Sequence, residues 1–153
     1  MKRLLHILRA MATVMVCAAS PAFASAPSCE GLAARAAASA GIPEGLLPAI
    51  ARTETGGGPR RSAWPWTLNV QGRGYYFDTR DEAMAYLRQV IDSGVRSVDI
   101  GCMQINYRWH GQEFASIEQM MDPEHNTAYA AQFIQQLRRR EGSWDAATRN
   151  YHS

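Results

Sequence analysis

From residue 28 onward, apolar residues recur at intervals of three and four, in runs that open on a capping side chain and close on glycine. That pattern leaves room for little but a helical domain. Ser28 caps a run through the alanine-rich stretch Leu32 to Ala40, and Gly41 stops it. Pro43 suits a first helical turn and opens a second run, in which Leu47, Ile50, Ala51 and Glu54 fall on one face. Gly56, Gly57, Gly58 and Pro59 end that run directly after Glu54. Thr79 with Glu82 makes a capping box before Ala83, Leu87, Val90 and Ile91, and Gly94 closes it. Ser116 and Gln119 repeat the capping pattern. Asp122-Pro123 begins a longer run carrying Ala130, Phe133, Ile134 and Leu137 as far as Gly142, and Ser143 caps a last segment. Residues 64–78 break the rhythm. There Thr67 to Val70 and Tyr75 to Phe77 flank a turn at Gln71-Gly72-Arg73-Gly74, which reads as a short β-hairpin.

The N-terminal residues read as an export signal. Lys2, Arg3 and Arg9 supply a positive end, Ala10 to Ala19 an apolar stretch too short to span a bilayer, and Ala22-Phe23-Ala24 a small-x-small cleavage pattern. A lipoprotein reading of Cys17 is disfavoured by the bulk of Val16 before it. We therefore expect a signal peptide over 1–24, a single domain over 25–153, and a periplasmic or secreted protein cut near Ala24 with no transmembrane segment. The chain carries 16 basic and 14 acidic residues. Three basic residues belong to the leader, so the remainder is near neutral. That balance disfavours a nucleic-acid partner, which calls for a basic excess on one face. Arg138-Arg139-Arg140 is explained by the end of a helix, where cations suit the dipole.

Cys29 and Cys102 remain after cleavage. In an oxidising compartment an isolated pair favours a disulfide, which on a chain-entropy argument adds roughly 4 kcal/mol. A metal site from Cys102 and His110 lacks the ligand number and spacing such sites need. We expect no metal and no cofactor.

Glu54 draws attention on physical grounds. It extends the apolar stripe of its helix, and it stands in the last turn, where the dipole is negative. Both features favour an uncharged carboxyl, as a general acid requires. A solvated glutamate at a fraying helix end would look the same by spacing alone. The ordered companions tip the balance. Glu54-Thr55-Gly56 is followed by Gly101-Cys102-Met103-Gln104-Ile105-Asn106 and then by Ala147-Thr148-Arg149-Asn150-Tyr151-His152. Together these resemble the three signatures of the soluble lytic transglycosylase (SLT) family: a catalytic Glu with a small hydroxyl residue, a G-L-M-Q segment and an A-x-x-x-Y-N segment. The resemblance covers roughly residues 29–153 and is nearest to small, stand-alone members tied to secretion, conjugation or pilus systems.

The resemblance implies a mainly α, goose-lysozyme-like fold with a short β-hairpin insertion, holding a peptidoglycan glycan strand in a groove. It implies that Glu54 protonates the glycosidic oxygen between N-acetylmuramic acid and N-acetylglucosamine. Glu54 then serves as base for the muramyl C6 hydroxyl, giving a 1,6-anhydro end. It also implies that Thr55 orients Glu54, that Gln104 and Asn106 line the sugar groove, and that Tyr151 sets its hydroxyl near the carboxyl. A peptidoglycan strand is the implied partner, with a secretion, conjugation or pilus apparatus as the implied setting.

The chain also departs from the pattern. Thr55 stands for the commoner Ser, Cys102 for Leu, and His152 for Asn, and the stretch between Glu54 and Gly101 is long. The family continues past its third motif with a closing helix, so the stop at Ser153 is compatible with a truncated chain. Two other functions fit the same residues. A lysozyme-type muramidase would use water, with Asp99 to activate it, although Asp99 before a glycine suits a turn or cap. A non-catalytic glycan-binding assembly factor is the other, which the intact Glu54, Thr55 and Gln104 argue against. Trp64, Trp66, Tyr75 and Tyr76 are expected to pack against the domain more than to form a sugar platform. Trp109 and Phe114 are expected in the core, and His110 and His125, isolated in sequence, are expected to be structural or solvent-facing.

Overall fold

The structure is a computed structural model that describes residues 28–56 and 62–151. The N-terminal stretch read as an export signal, with Cys17 and Ala24, the glycine-rich stretch after Gly56, and His152 lie outside the described residues. The first helix, α1 (Cys29–Ser39), is capped by Ser28, whose Oγ accepts from the Gly31 amide at 3.1 Å. The second, α2 (Leu46–Thr55), begins later than the proline suggested. Gly45 intervenes in a left-handed conformation (φ 80°), so Pro43 stays in the turn and its carbonyl accepts from the Leu46 amide at 3.2 Å. The helical period resumes only once that residue is passed.

Strands β1 (Thr67–Val70) and β2 (Arg73–Tyr76) form the expected hairpin, with Thr67 opposite Tyr76 and Val70 opposite Arg73. Its turn is Gln71-Gly72, both with positive φ (52° and 88°). That pairing matches a two-residue turn whose twist suits the flanking strands. The hairpin belongs to a larger unit. Strand β3 (Val98–Ile100) pairs antiparallel with β1, and β4 (Ile105–Asn106) pairs with β3, giving the order β2-β1-β3-β4. The two added strands are three and two residues long, too short to show any alternation in sequence.

Helix α3 (Arg80–Asp92) opens with the full capping box, as Thr79 Oγ1 accepts from the Glu82 amide and Glu82 Oε2 accepts from the Thr79 amide, both at 3.2 Å. A single turn, α4 (Tyr107–His110), follows β4 and runs into a 3-10 turn at Gly111–Glu113. Then come α5 (Ile117–Met121), α6 (Pro123–Glu141) and α7 (Trp144–Arg149). Asp122 caps α6, its Oδ1 accepting from the His125 amide at 3.0 Å, and Pro123 takes the first helical position. The arginine trio fills the last turn of α6.

Helix α1 packs on α2 and α6, and α6 packs on α7. Leu47, Leu68, Leu87 and Ile134 are fully buried between these layers, each contributing roughly 2 kcal/mol by area. A disulfide joins Cys29 at the start of α1 to Cys102 in the β3–β4 turn, with the Cα atoms 5.4 Å apart. It ties the helical layer to the sheet across 73 residues of sequence. One expectation about aromatic positions needs correction, and one histidine proves structural. Trp109 is outside the core, with 71% of its surface exposed, because the single turn α4 turns Tyr107 inward and carries Trp109 out. His110 is embedded among rings, 4.7 Å from the Phe133 centroid, with Nδ1 2.8 Å from the Tyr129 hydroxyl. Phe114 packs against the core as expected. Of the aromatics expected to pack, Trp66 and Tyr75 do, Tyr75 and Phe77 lying 4.8 and 5.4 Å from the Tyr86 ring, and Trp64 Nε1 donates to the Phe77 carbonyl at 2.7 Å, whereas Tyr76 is exposed. Among the described residues, no helix is long and apolar enough to cross a membrane.

Candidate active site

Glu54 sits in the last turn of α2, half-buried, at the edge between the buried Ile50 and Ala51 and the exposed Thr53. It borders a cavity of about 200 Å³ lined by Leu46, Ala49, Ile50, Thr53, Thr148 and Tyr151. Of the apolar side chains, Ile50 belongs to the stripe that periodicity reveals in α2, and Leu46 and Ala49 flank it. Thr148 and Tyr151 arrive from α7 and the residues just after it. The first and third motifs, nearly a hundred positions apart in sequence, therefore meet here.

Thr55, next in the chain, turns the other way and is 1% exposed. Its hydroxyl donates to the Ala51 carbonyl at 3.0 Å and accepts from the Trp64 amide at 3.1 Å. In this way it ties the end of α2 to the segment that enters β1.

The second motif builds the opposite wall. Gly101 has φ 76°, which glycine adopts without strain, and a Cβ there would meet the Asn126 side chain at 3.1 Å. Gln104 also has positive φ (45°), unusual for a residue with a side chain. The turn is held by what surrounds it. Gln104 Nε2 donates to the carbonyls of Gly101 (2.9 Å) and Thr67 (3.2 Å), and Asn126 Oδ1 accepts from the Met103 amide at 2.8 Å. Asn126 Nδ2 donates to the carbonyls of Ile100 (3.0 Å) and Met120 (2.9 Å). Asn126 is fully buried in α6 and was missed by the sequence reading. Its one signal was a polar amide on the apolar side of a helical run.

Asn106 lies opposite Asp99 across β3 and β4, and its Nδ2 donates to Asp99 Oδ1 at 2.7 Å. Its Oδ1 accepts from the Arg108 amide at 3.0 Å, which starts α4. Asp99, Gln104 and Asn106 border a second cavity of about 260 Å³, together with Trp109, His110, Phe133 and Tyr151. Tyr151 is the residue the two cavities share. Its hydroxyl donates to the Met103 carbonyl at 3.1 Å. Burial, then the charge of Glu54, then Tyr129 push its phenol well above the ordinary range, so it stays protonated and keeps its O–H donor. Burial likewise pushes Tyr129 up to about 12. It also holds His110 below its usual value, against a smaller opposing pull from Glu113. At neutral pH the uncharged rings of His110, Phe133 and Tyr151 thus line this cavity, with Tyr129 packed against His110.

Glu54, Gln104, Asn106 and Tyr151 accordingly border two adjoining hollows, while Thr55 lies behind Glu54. Among the described residues no group of three or more His, Cys, Asp or Glu side chains is placed to hold a metal ion.

A family model of the transglycosylase SLT domain matches residues 31–153, nearly the whole described chain. The protein belongs to the SLT transglycosylase family. Members of that family are lytic transglycosylases, lyases acting on peptidoglycan outside the cytoplasm. Neither curated proteins nor solved structures give a significant match to the chain. The mainly α architecture of this SLT domain, with its small antiparallel sheet, is the lysozyme-like fold that the family membership calls for.

Proposed function

We propose that this SLT domain cleaves the β-1,4 bond between N-acetylmuramic acid and N-acetylglucosamine in the periplasm, leaving a 1,6-anhydro end, with Glu54 as the single acid and base. The observation that carries this reading is the position of Glu54: half-buried at a helix end, on a cavity it shares with the protonated Tyr151. Glu54 gives its proton to the glycosidic oxygen as the bond to the muramyl C1 breaks. The substrate's own acetamido group supports C1, a recognised alternative to a second protein carboxylate. Glu54, now ionised, takes the proton of the C6 hydroxyl as that oxygen closes onto C1. The proton count balances without water. Thr55 fixes the end of α2, Gln104 and Asn106 border the strand, and Tyr151 sets its hydroxyl near the carboxyl. Export through the N-terminal signal and service to a secretion, conjugation or pilus apparatus belong to the same proposal.

Hydrolysis is the second reading, favoured by one observation: Asp99 borders the cavity and is oriented by Asn106 at 2.7 Å. Mass spectrometry of fragments released from purified sacculi separates the two. Anhydro ends, one water lighter, support the transglycosylase. Reducing ends would replace it with the muramidase and make Asp99 the water-activating group.

A further inference from the structure

The second cavity does not end at the residues that the family motifs mark. A further hollow of about 430 Å³ adjoins it, lined by Trp109, His110, Phe133, Leu137 and Arg140. Trp109, His110 and Phe133 border both, so one trough runs from the Asp99–Asn106 pair to the last turn of α6. Trp109 stands on its rim. An indole with 71% of its surface in water is a poor use of a large apolar ring unless something covers it.

The ring is also held ready. Asn106 caps α4, and the Arg96 guanidinium lies 5.8 Å from the Tyr107 centroid, which backs α4 against the domain. The Arg108 guanidinium sits 4.8 Å from the Trp109 ring centroid. At the far end Arg140 pairs with its neighbour Glu141, an exposed contact that water and salt readily loosen. An apolar platform beside a cation suits a sugar ring that carries a carboxylate.

We propose that Trp109 and Arg140 form a distal subsite, where Trp109 stacks on a saccharide beyond the cleaved bond and Arg140 binds a carboxylate borne by the strand. The subsite rests on the reading that the glycan lies along Gln104 and Asn106. It assigns to the long wall of the trough a preference for longer, anionic strands.

The test uses the full chain with Glu54→Gln to prevent turnover. Calorimetry measures binding of peptidoglycan strand fragments of increasing length, and of uncharged N-acetylglucosamine oligomers of the same lengths. Trp109→Ala should weaken binding of long fragments of both kinds about tenfold, but the shortest bound fragments about twofold at most. Trp109→Phe should recover most of the loss. Arg140→Ala should weaken only the carboxylate-bearing fragments, by about fivefold. Unaltered binding in Trp109→Ala at every length would overturn the subsite, as would equal weakening at every length. Equal loss for charged and uncharged ligands in Arg140→Ala would overturn the carboxylate contact. Failure of the underlying reading shows separately, as wild-type protein that releases nothing from sacculi, and it overturns the subsite too.

Discussion

The two walls of the site are built on opposite plans. The wall from β3 to β4 is over-determined: Gly101 to Ile105 are all buried, and Asn126, Gln104 and Tyr151 together make six hydrogen bonds to backbone groups around that turn. It tolerates the left-handed Gln104 because those contacts outweigh a backbone cost of about 1–3 kcal/mol. The wall from α2 is held by packing, with α2 laid along α1. Glu54 rides on the final turn of a ten-residue helix, anchored at its end by the Thr55 hydroxyl. The contrast teaches that one wall is fixed by buried polar contacts around a strained turn, and the other by packing along a helix whose end carries the proposed proton-exchanging group.

Breaking the stiff wall should therefore unfold the protein, and disturbing the α2 wall should mainly stop its chemistry. The largest stability effect is expected from opening the disulfide that holds the β3–β4 turn to α1. Cys29→Ser with Cys102→Ser should cost about 4 kcal/mol in a denaturant titration. Asn126→Ala comes next, at about 3 kcal/mol, since three buried backbone groups lose their partner. A melting temperature lower by roughly 10 °C would report it. Thr55→Val should cost only about 1–2 kcal/mol, by stranding the Trp64 amide, yet lower the rate of sacculus digestion more than that loss of fold explains. If Thr55→Val melts early and keeps its rate, the contrast between the walls fails.

The smallest effect concerns pH. Burial lowers the folded-state value of His110 below its ordinary 6.5, so the unfolded chain binds that proton more readily. Stability is then complete above 6.5 and is lost as pH falls below it toward the lower folded value. His110→Gln should flatten that acid-side slope in melts taken between about pH 7.5 and 5.5, where an unperturbed histidine changes charge. An unchanged slope would place the lost protons elsewhere.

The helical grammar was legible wherever local chemistry decides conformation. Ser28, Thr79, Asp122 and Ser143 cap the helices they were expected to cap, because each hydroxyl or carboxylate satisfies an amide a few residues on. The hairpin was legible for a related reason: Gln71-Gly72 supplies the positive φ values that its turn demands. The parts that escaped depend on distant partners. Strand β3 exists because β1 offers it an edge, and β4 because β3 does, and nothing in five residues announces that. Asn126 reads as a misplaced amide until the Gly101 turn is folded against it. Trp109 reads as core because tryptophan usually is, and only the brevity of α4 puts it outside. The site followed the same division. The motifs bring Glu54, Gln104, Asn106 and Tyr151 to adjoining cavities, whereas the trough beyond Trp109 is made by α4 meeting α6, a pairing no local pattern encodes.

The central claim is that Glu54 alone supplies the acid and the base, and the isosteric Glu54→Gln variant addresses it most directly. Release of soluble fragments from purified sacculi should fall by at least about a thousandfold, the loss expected when the one proton carrier is removed. The melting temperature and the binding of strand fragments should stay close to wild type. A variant that folds, binds and still digests sacculi within about tenfold of the wild-type rate would contradict the account.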